Sequence, residues 1–226
     1  MSFPFFFNRS AVGKKAVMAV SGLMLFGFVL VHMLGNLKLY QGPEKLNGYA
    51  EWLREVGSPA LPHSGLLWIA RLVLLAAVVL HVTTATQLTL GNLRARPHRY
   101  RQRVAIQSTY AARTMRWSGV IIALYVVYHL AHLTWGNAHP SFVPGDVYRN
   151  VVAGFQVWWV SLFYLVAQIA LGFHLYHGLW SLFQTLGWWQ PEGDSDWRRQ
   201  FSLVFAGLVT LGNLSFPLAV MSGVVR

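Results

Sequence analysis

Five long apolar runs, near 16–37, 65–92, 117–136, 156–185 and 201–223, constrain this chain more than anything else in it. Crossing the bilayer core takes about 20 apolar residues as a helix, at 1.5 Å of rise each, but only about 9–11 as a barrel strand. No water reaches the hydrocarbon, so a spanning segment of this length closes its own backbone hydrogen bonds as a helix. The expected fold is an all-α integral membrane protein, a five-transmembrane-helix bundle forming one domain over 1–226. Composition agrees: the chain is 55% hydrophobic and 11% charged. Its net charge of +11 sits between the apolar runs, as membrane flanks do, so nucleic acid is not an expected partner. There is no cysteine, which excludes thiolate-held iron–sulfur clusters, c-type haem and disulfides within the chain. Met1 to Lys15 is Phe-rich and then basic, with no small-residue cleavage site after it, so an uncleaved first helix is expected. No internal repeat is evident.

Loop charges orient the bundle. Arg9, Lys14 and Lys15 precede the first run, Arg94, Arg96, Arg99, Arg101, Arg103, Arg113 and Arg116 lie between the second and third, and Arg198 and Arg199 precede the fifth. The opposite side carries Lys38, Lys45, Arg54, Arg149 and Arg226. By the positive-inside rule the N-terminus is cytoplasmic and the C-terminus outside. Between Gly42-Pro43 and Ser58-Pro59, residues Glu44 to Val56 predict a short interfacial helix with Tyr49 and Trp52 toward lipid. The second outer connection, 137–155, reads as a loop around Pro140 and Pro144-Gly145. Trp158-Trp159 and Trp188-Trp189 read as interfacial belt residues.

Four histidines lie within the apolar runs: His32, His81, His129 and His174, one on each of the first four. An imidazole in hydrocarbon is costly unless something binds it. Counting rise from the charged flanks puts His32 about 25 Å from the inner end and His129 in the outer half, while His174 lies roughly 15 Å and His81 about 20 Å from theirs. Two levels result, His32 with His129 outside and His81 with His174 inside. Histidines at one level on facing helices can clamp a haem iron from both faces, a common use of helical bundles. Neutral imidazole offers a nitrogen lone pair to iron, and its second N–H can be fixed by a neighbour. With both axial positions filled, such a haem passes single electrons. Interhelical hydrogen bonding is the plainer reading of any one of these residues. His132 and His177, one turn beyond His129 and His174, share their faces and are alternative ligands or partners of a propionate or quinone. His63, His98 and His139 read as solvated.

Three stretches carry a family resemblance: SGLMLFGFVLVHMLGNL (Ser21 to Leu37), SGVIIALYVVYH (Ser118 to His129) and FHLYHGLWSLFQTLGWW (Phe173 to Trp189). Together they resemble the single-chain, five-helix, di-haem cytochrome b membrane anchor of succinate:menaquinone oxidoreductase, whose architecture di-haem fumarate reductases share. The resemblance implies two haem b groups, with His32 and His129 holding the outer and His81 and His174 the inner. It favours His129 over His132 and makes His177 a less fitting ligand. It implies a flavoprotein subunit, an iron–sulfur subunit feeding the inner haem, menaquinone as electron acceptor, and the cytoplasmic membrane of a bacterium. Some di-haem fumarate reductases carry a glutamate two positions before the helix-4 ligand; this chain has Gly172, and all seven acidic residues lie in connections.

Arg71, about 15 Å outward of His81, is the expected partner of an outer-haem propionate, with snorkelling to the interface as the alternative. Ser21, Ser118, Arg113 and Arg116 are expected to serve the inner propionates. Asn36, Glu51, Trp52, Glu55 and Trp135 are outer quinone candidates, with Trp180, Ser181 and Gln184 on the inner side. The basic inner face, Arg94 to Arg116, suits docking of the iron–sulfur subunit or binding of lipid head groups. The chain has no flavin fingerprint and no cluster ligands, so it performs no dicarboxylate chemistry itself. Rival readings are the cytochrome b of another quinone-linked dehydrogenase, such as a hydrogenase or formate dehydrogenase, and a non-redox transporter with histidine proton relays. A trimer of complexes is compatible with the residues, and nothing in them specifies it.

Overall fold

The computed structural model describes residues 10–95, 110–187 and 196–226, and all regular structure among them is helical. Arg9, Arg96, His98, Arg99, Arg101, Arg103, Trp188, Trp189, Glu192 and Asp194 lie outside the described residues, as does the side chain of Arg113. Helix α1 spans Ala11–Asn36, opened by Ser10, whose hydroxyl accepts the Gly13 N–H at 2.9 Å. One 3₁₀ turn, Leu37–Gln41, continues it to Gly42. Then follow α2 (Pro43–Glu55), α3 (Gly65–Arg94), α4 (Tyr110–Leu133), α5 (Val147–Gln156), α6 (Trp158–Thr185) and α7 (Trp197–Met221).

Four of these helices are long and apolar enough to cross a membrane: α1 with its 3₁₀ extension, α3, α6 and α7. Helix α4 has 24 residues, about 36 Å at 1.5 Å each, but Arg116, His129 and His132 interrupt its apolar run. It starts well before residue 117, and α7 starts at Trp197 rather than near 201.

The interfacial helix expected over Glu44–Val56 is present as α2, with Pro43 at its first turn, where a missing N–H costs nothing. Trp52 is 58% exposed, whereas Tyr49 is half-buried and packs on Gly35 of α1 rather than standing free. The second outer connection differs from expectation, because it contains α5. The prolines hid it, but Asp146 directly after Pro144-Gly145 caps it, its carboxylate accepting the Arg149 N–H at 3.1 Å. One face of α5 is buried through Asn150, Val152, Gly154 and Phe155. Extended Val157 (φ −79°, ψ 105°) separates α5 from α6, and the Ser161 hydroxyl bridges the break by donating to the Phe155 carbonyl at 2.6 Å.

Helix α1 packs along α3, α4 along α6, and α6 along α7, while α2 meets α5 over one end of the bundle. Among the described residues α3 has no comparable contact with α4 or α6. It buries only Ala77 and Thr84, against nine residues on α6. The apolar core, including Met33, Leu39, Val152, Phe155, Val160, Tyr164, Val209 and Phe216, gathers where α1, α5, α6 and α7 converge. The α1/α3 hairpin therefore stands partly away from the α4/α6 hairpin, and side chains must reach across.

Candidate functional site

Two pairs of histidines reach across that separation. His32 of α1 and His129 of α4 have ring centres 5.9 Å apart, with planes at 86°. His81 of α3 and His174 of α6 have ring centres 6.3 Å apart, with planes at 63°. A divalent metal bonds an imidazole nitrogen at about 2.0–2.1 Å and the ring centre lies about 1.1 Å further back, so one ion gripped by two opposed rings holds their centres about 6.3 Å apart. Both pairs stand at about the separation such a clamp requires.

Neighbouring groups occupy one nitrogen on three of the four rings. His81 Nδ1 lies 3.2 Å from the Met18 carbonyl and 3.4 Å from the Ser21 hydroxyl. His174 Nδ1 lies 3.2 Å from the Ser118 hydroxyl, which itself donates to the Met115 carbonyl at 2.9 Å. A hydroxyl has one proton and two lone pairs, so Ser118 gives its proton to Met115 and accepts from His174. His129 Nδ1 lies 3.2 Å from the Tyr164 hydroxyl. In each case Nε2 is the nitrogen left over. His32 is braced by stacking on Phe28 at 5.3 Å. The donor set, two pairs of imidazoles with Nδ1 engaged on three of the four rings, fits two metal centres, each of which one pair would hold.

The levels follow from these contacts. His81 is level with Met18 and Ser21, and His174 with Ser118, while His32 and His129 each lie eleven residues beyond their serine. The two pairs are thus about 16 Å apart along the helices, and α1 and α4 run parallel. The spacing Ser-Gly, then histidine eleven residues after the serine, occurs on both α1 (Ser21-Gly22, His32) and α4 (Ser118-Gly119, His129). That is an internal repeat the sequence analysis missed. Its ends recur, and of the residues between them only the valine does, as Val29 and Val126.

Other expected site residues fare differently. Ser21 and Ser118 are buried, at 3% and 4% exposure, with their hydroxyls beside His81 and His174. Arg116 is exposed. Arg71 is exposed on α3 and stacks over the Trp68 ring at 4.9 Å. Glu51 pairs with Arg54 at 2.9 Å and Glu55 with His63 at 2.7 Å, toward the surface. Ligand atoms of Glu51, Glu55 and His63 lie within 4.8 Å of one another. Trp52 lines an open cleft with Lys38, Glu44, Lys45, Gly48 and Tyr49. Asn36 is half-buried at the end of α1, and Trp135 is 62% exposed. On the inner side Trp180 and Ser181 are half-buried and Gln184 is exposed.

His132 does not face His32. It is fully buried, stacks on Tyr128 at 5.5 Å and His139 at 4.9 Å, and presses against Gly154 of α5. Tyr164, which the sequence analysis passed over, is 3% exposed and touches both His129 and His132. Its signal was Gln168 four residues on: two polar groups on one face of an apolar helix.

Fold and site together define an all-helical, multi-pass membrane protein with two pairs of facing histidines at two depths. The chain belongs to the succinate dehydrogenase/fumarate reductase transmembrane-subunit family, whose sequence model matches residues 89–214, more than half of the chain. The match takes in α4, α5, α6 and most of α7, hence His129 and His174 but not His32 or His81. Membership makes the chain a membrane subunit of a succinate/fumarate oxidoreductase complex, associated with that complex's other subunits. No curated protein matches the chain, and no solved structure does.

Proposed function

We propose that this chain is the cytochrome b membrane anchor of a bacterial succinate dehydrogenase, holding two haem b groups, the outer between His32 and His129 and the inner between His81 and His174. When bound, these haems supply single-electron transfer between a cytoplasmic iron–sulfur subunit and menaquinone. The observation that carries the reading is the opposition of the two pairs, at 5.9 and 6.3 Å, in a member of this family. Helix α4 is the fifth span, since it supplies His129 beside α6. Ser21 with the Met18 carbonyl, and Ser118, hold Nδ1 of the inner histidines and leave Nε2 for iron. Each iron would be held by two histidines, His32 with His129 and His81 with His174, and so held would supply single-electron transfer rather than oxygen or substrate binding.

The basic ends of α1, α3 and α4, at Lys14, Lys15, Arg94 and Arg116, form the cytoplasmic face on which the iron–sulfur subunit docks, with the flavoprotein beyond it. Quinone is served at the outer end, where the Trp52 cleft is rimmed by Lys38 and Lys45 and Glu51 and Glu55 exchange protons with water. Arg71, about level with the outer pair, is long enough to leave Trp68 for an outer propionate.

The test is the reduced absorption spectrum of the purified protein. A b-type spectrum with two haems per chain supports the reading, and a colourless protein ends it. His129→Ala should then remove the outer haem signal alone; loss of both signals, or of neither, contradicts the pairing.

A further inference from the structure

We infer that Tyr164 and His132 are positioning residues for His129: their hydrogen-bond relay fixes which nitrogen of His129 faces the metal and sets the potential of the outer haem. The inference rests on the haem reading above and concerns residues that touch neither metal nor quinone in it.

The Tyr164 hydroxyl lies 3.2 Å from His129 Nδ1 and 2.9 Å from His132 Nδ1. A phenol carries one proton, so it cannot donate to both nitrogens. If Tyr164 donated to His129, Nδ1 of His129 would be bare, its proton would sit on Nε2, and no lone pair would remain for iron. If Tyr164 donates to His132 instead, His129 carries its proton on Nδ1, gives it to the tyrosine oxygen and presents a bare Nε2. A bare Nδ1 on His132 is therefore what directs the proton the useful way.

Two features hold His132 in that role, against one cost. The cost is at its Nε2, which must then carry the ring proton and is buried without a partner among the described residues; a buried histidine kept at that cost calls for a reason beyond packing. His139, stacked on it at 4.9 Å, does not compete for Tyr164, because Asn150 O at 2.8 Å and Ser141 N at 3.0 Å occupy its two nitrogens. Gly154 opens the space: a Cβ there would lie 2.6 Å from His132 Cε1. The inner pair has no such relay, since a carbonyl and two serines hold its Nδ1 atoms.

An acceptor on Nδ1–H makes an imidazole more electron-donating, which favours ferric iron and lowers the midpoint potential. The experiment is a redox titration of both haems, optical and by electron paramagnetic resonance, in the purified complex. Tyr164→Phe should raise the outer midpoint and shift that haem's low-field resonance, leaving the inner haem at its wild-type values. His132→Leu should act in the same sense but less, because the hydroxyl stays and loses its own acceptor. His132→Asn, whose amide oxygen stands where Nδ1 stood, should restore the wild-type value. An outer midpoint unmoved in Tyr164→Phe, or both midpoints moving together, overturns the inference. Should Tyr164→Phe fail to assemble, the two His132 variants carry the comparison, and equal outer midpoints in them overturn it. A wild-type complex without b-type haem overturns the underlying reading and this inference with it, whereas two haems with an unresponsive outer one overturn this inference alone.

Discussion

Each proposed inner ligand is matched to a serine on the helix beside it, and this is the finest-grained feature of the site. Ser118, 4% exposed, gives its proton to Met115 O and receives that of His174. Outer-shell partners of this kind are worth about 10–100-fold in metal affinity. Ser118→Ala should therefore weaken retention of the inner haem by about that factor and raise its midpoint, with the outer haem unchanged. Haem loss on dialysis and a redox titration measure the two effects, and an inner haem that behaves as wild type would show Ser118 to be packing only. From the sequence, Ser21 and Ser118 are expected to serve the inner propionates; in the fold their hydroxyls lie beside His81 and His174. Depth follows from rise per residue and is legible in a linear string; the direction of a hydroxyl depends on which helix lies alongside and is not. Tyr164 was passed over for a related reason, since the direction of a tyrosine within an apolar run depends on which helix lies alongside.

At the scale of elements, the seam between α6 and α7 depends on Gly172. Thr210 of α7, held by its own bond to Ala206 O at 2.6 Å, presses directly on the place a Cβ of residue 172 would take. This is the position where related di-haem fumarate reductases can carry a glutamate, and here the neighbouring helix fills it. Gly172→Val should overpack the seam and destabilise the chain by about 1–3 kcal/mol in thermal unfolding in detergent, with part recovered by adding Thr210→Ala. No loss in the single variant would mean that the seam is loose. Helix α5 makes a second case. Asp146 caps it and accepts from Asn47 Nδ2 of α2 at 3.0 Å, while Asn47 Oδ1 accepts the Tyr148 N–H at 2.9 Å. The Asn47 amide, and next the Arg149 backbone N–H, hold the Asp146 carboxyl below its usual range. A carboxylate whose folded value is depressed stabilises the fold fully above the unfolded value of about 3.9 and loses that contribution as pH falls through the lower folded value. The protection factors of α5 amides, taken against the intrinsic exchange rate at each pH, should therefore hold from neutral pH downward and fall only in strong acid. Asp146→Ala should lower them at neutral pH by about 0.5–2 kcal/mol of lost capping. The long helices were legible because apolar length leaves a chain in lipid no other option. The ten-residue α5 was not, because its evidence was one cap after two prolines.

Over the whole molecule, two hairpins of the same plan, α1/α3 and α4/α6, lie side by side, each giving one histidine to each pair. The Ser-Gly ends of α1 and α4 are level, so Lys14, Lys15, Arg94 and Arg116 gather at one end of the bundle, while α2, α5 and the chain's C-terminus gather at the other. That relative sidedness comes from contacts, and the cytoplasmic placement of the basic end is our proposal from the positive-inside rule. The absolute direction is open to a clean experiment, because the chain has no cysteine to mask an introduced one. Single cysteines replace Glu51 and Ser141 at one end and Arg94 at the other, all exposed positions. In intact cells a membrane-impermeant maleimide should label Glu51→Cys and Ser141→Cys, and reach Arg94→Cys only after the membrane is opened. In the assembled complex Arg94→Cys should be shielded even then, if the iron–sulfur subunit sits on the basic end. The opposite labelling would invert the bundle and detach the docking face from the inner haem, although the parallel hairpins and their histidine pairs would stand unchanged.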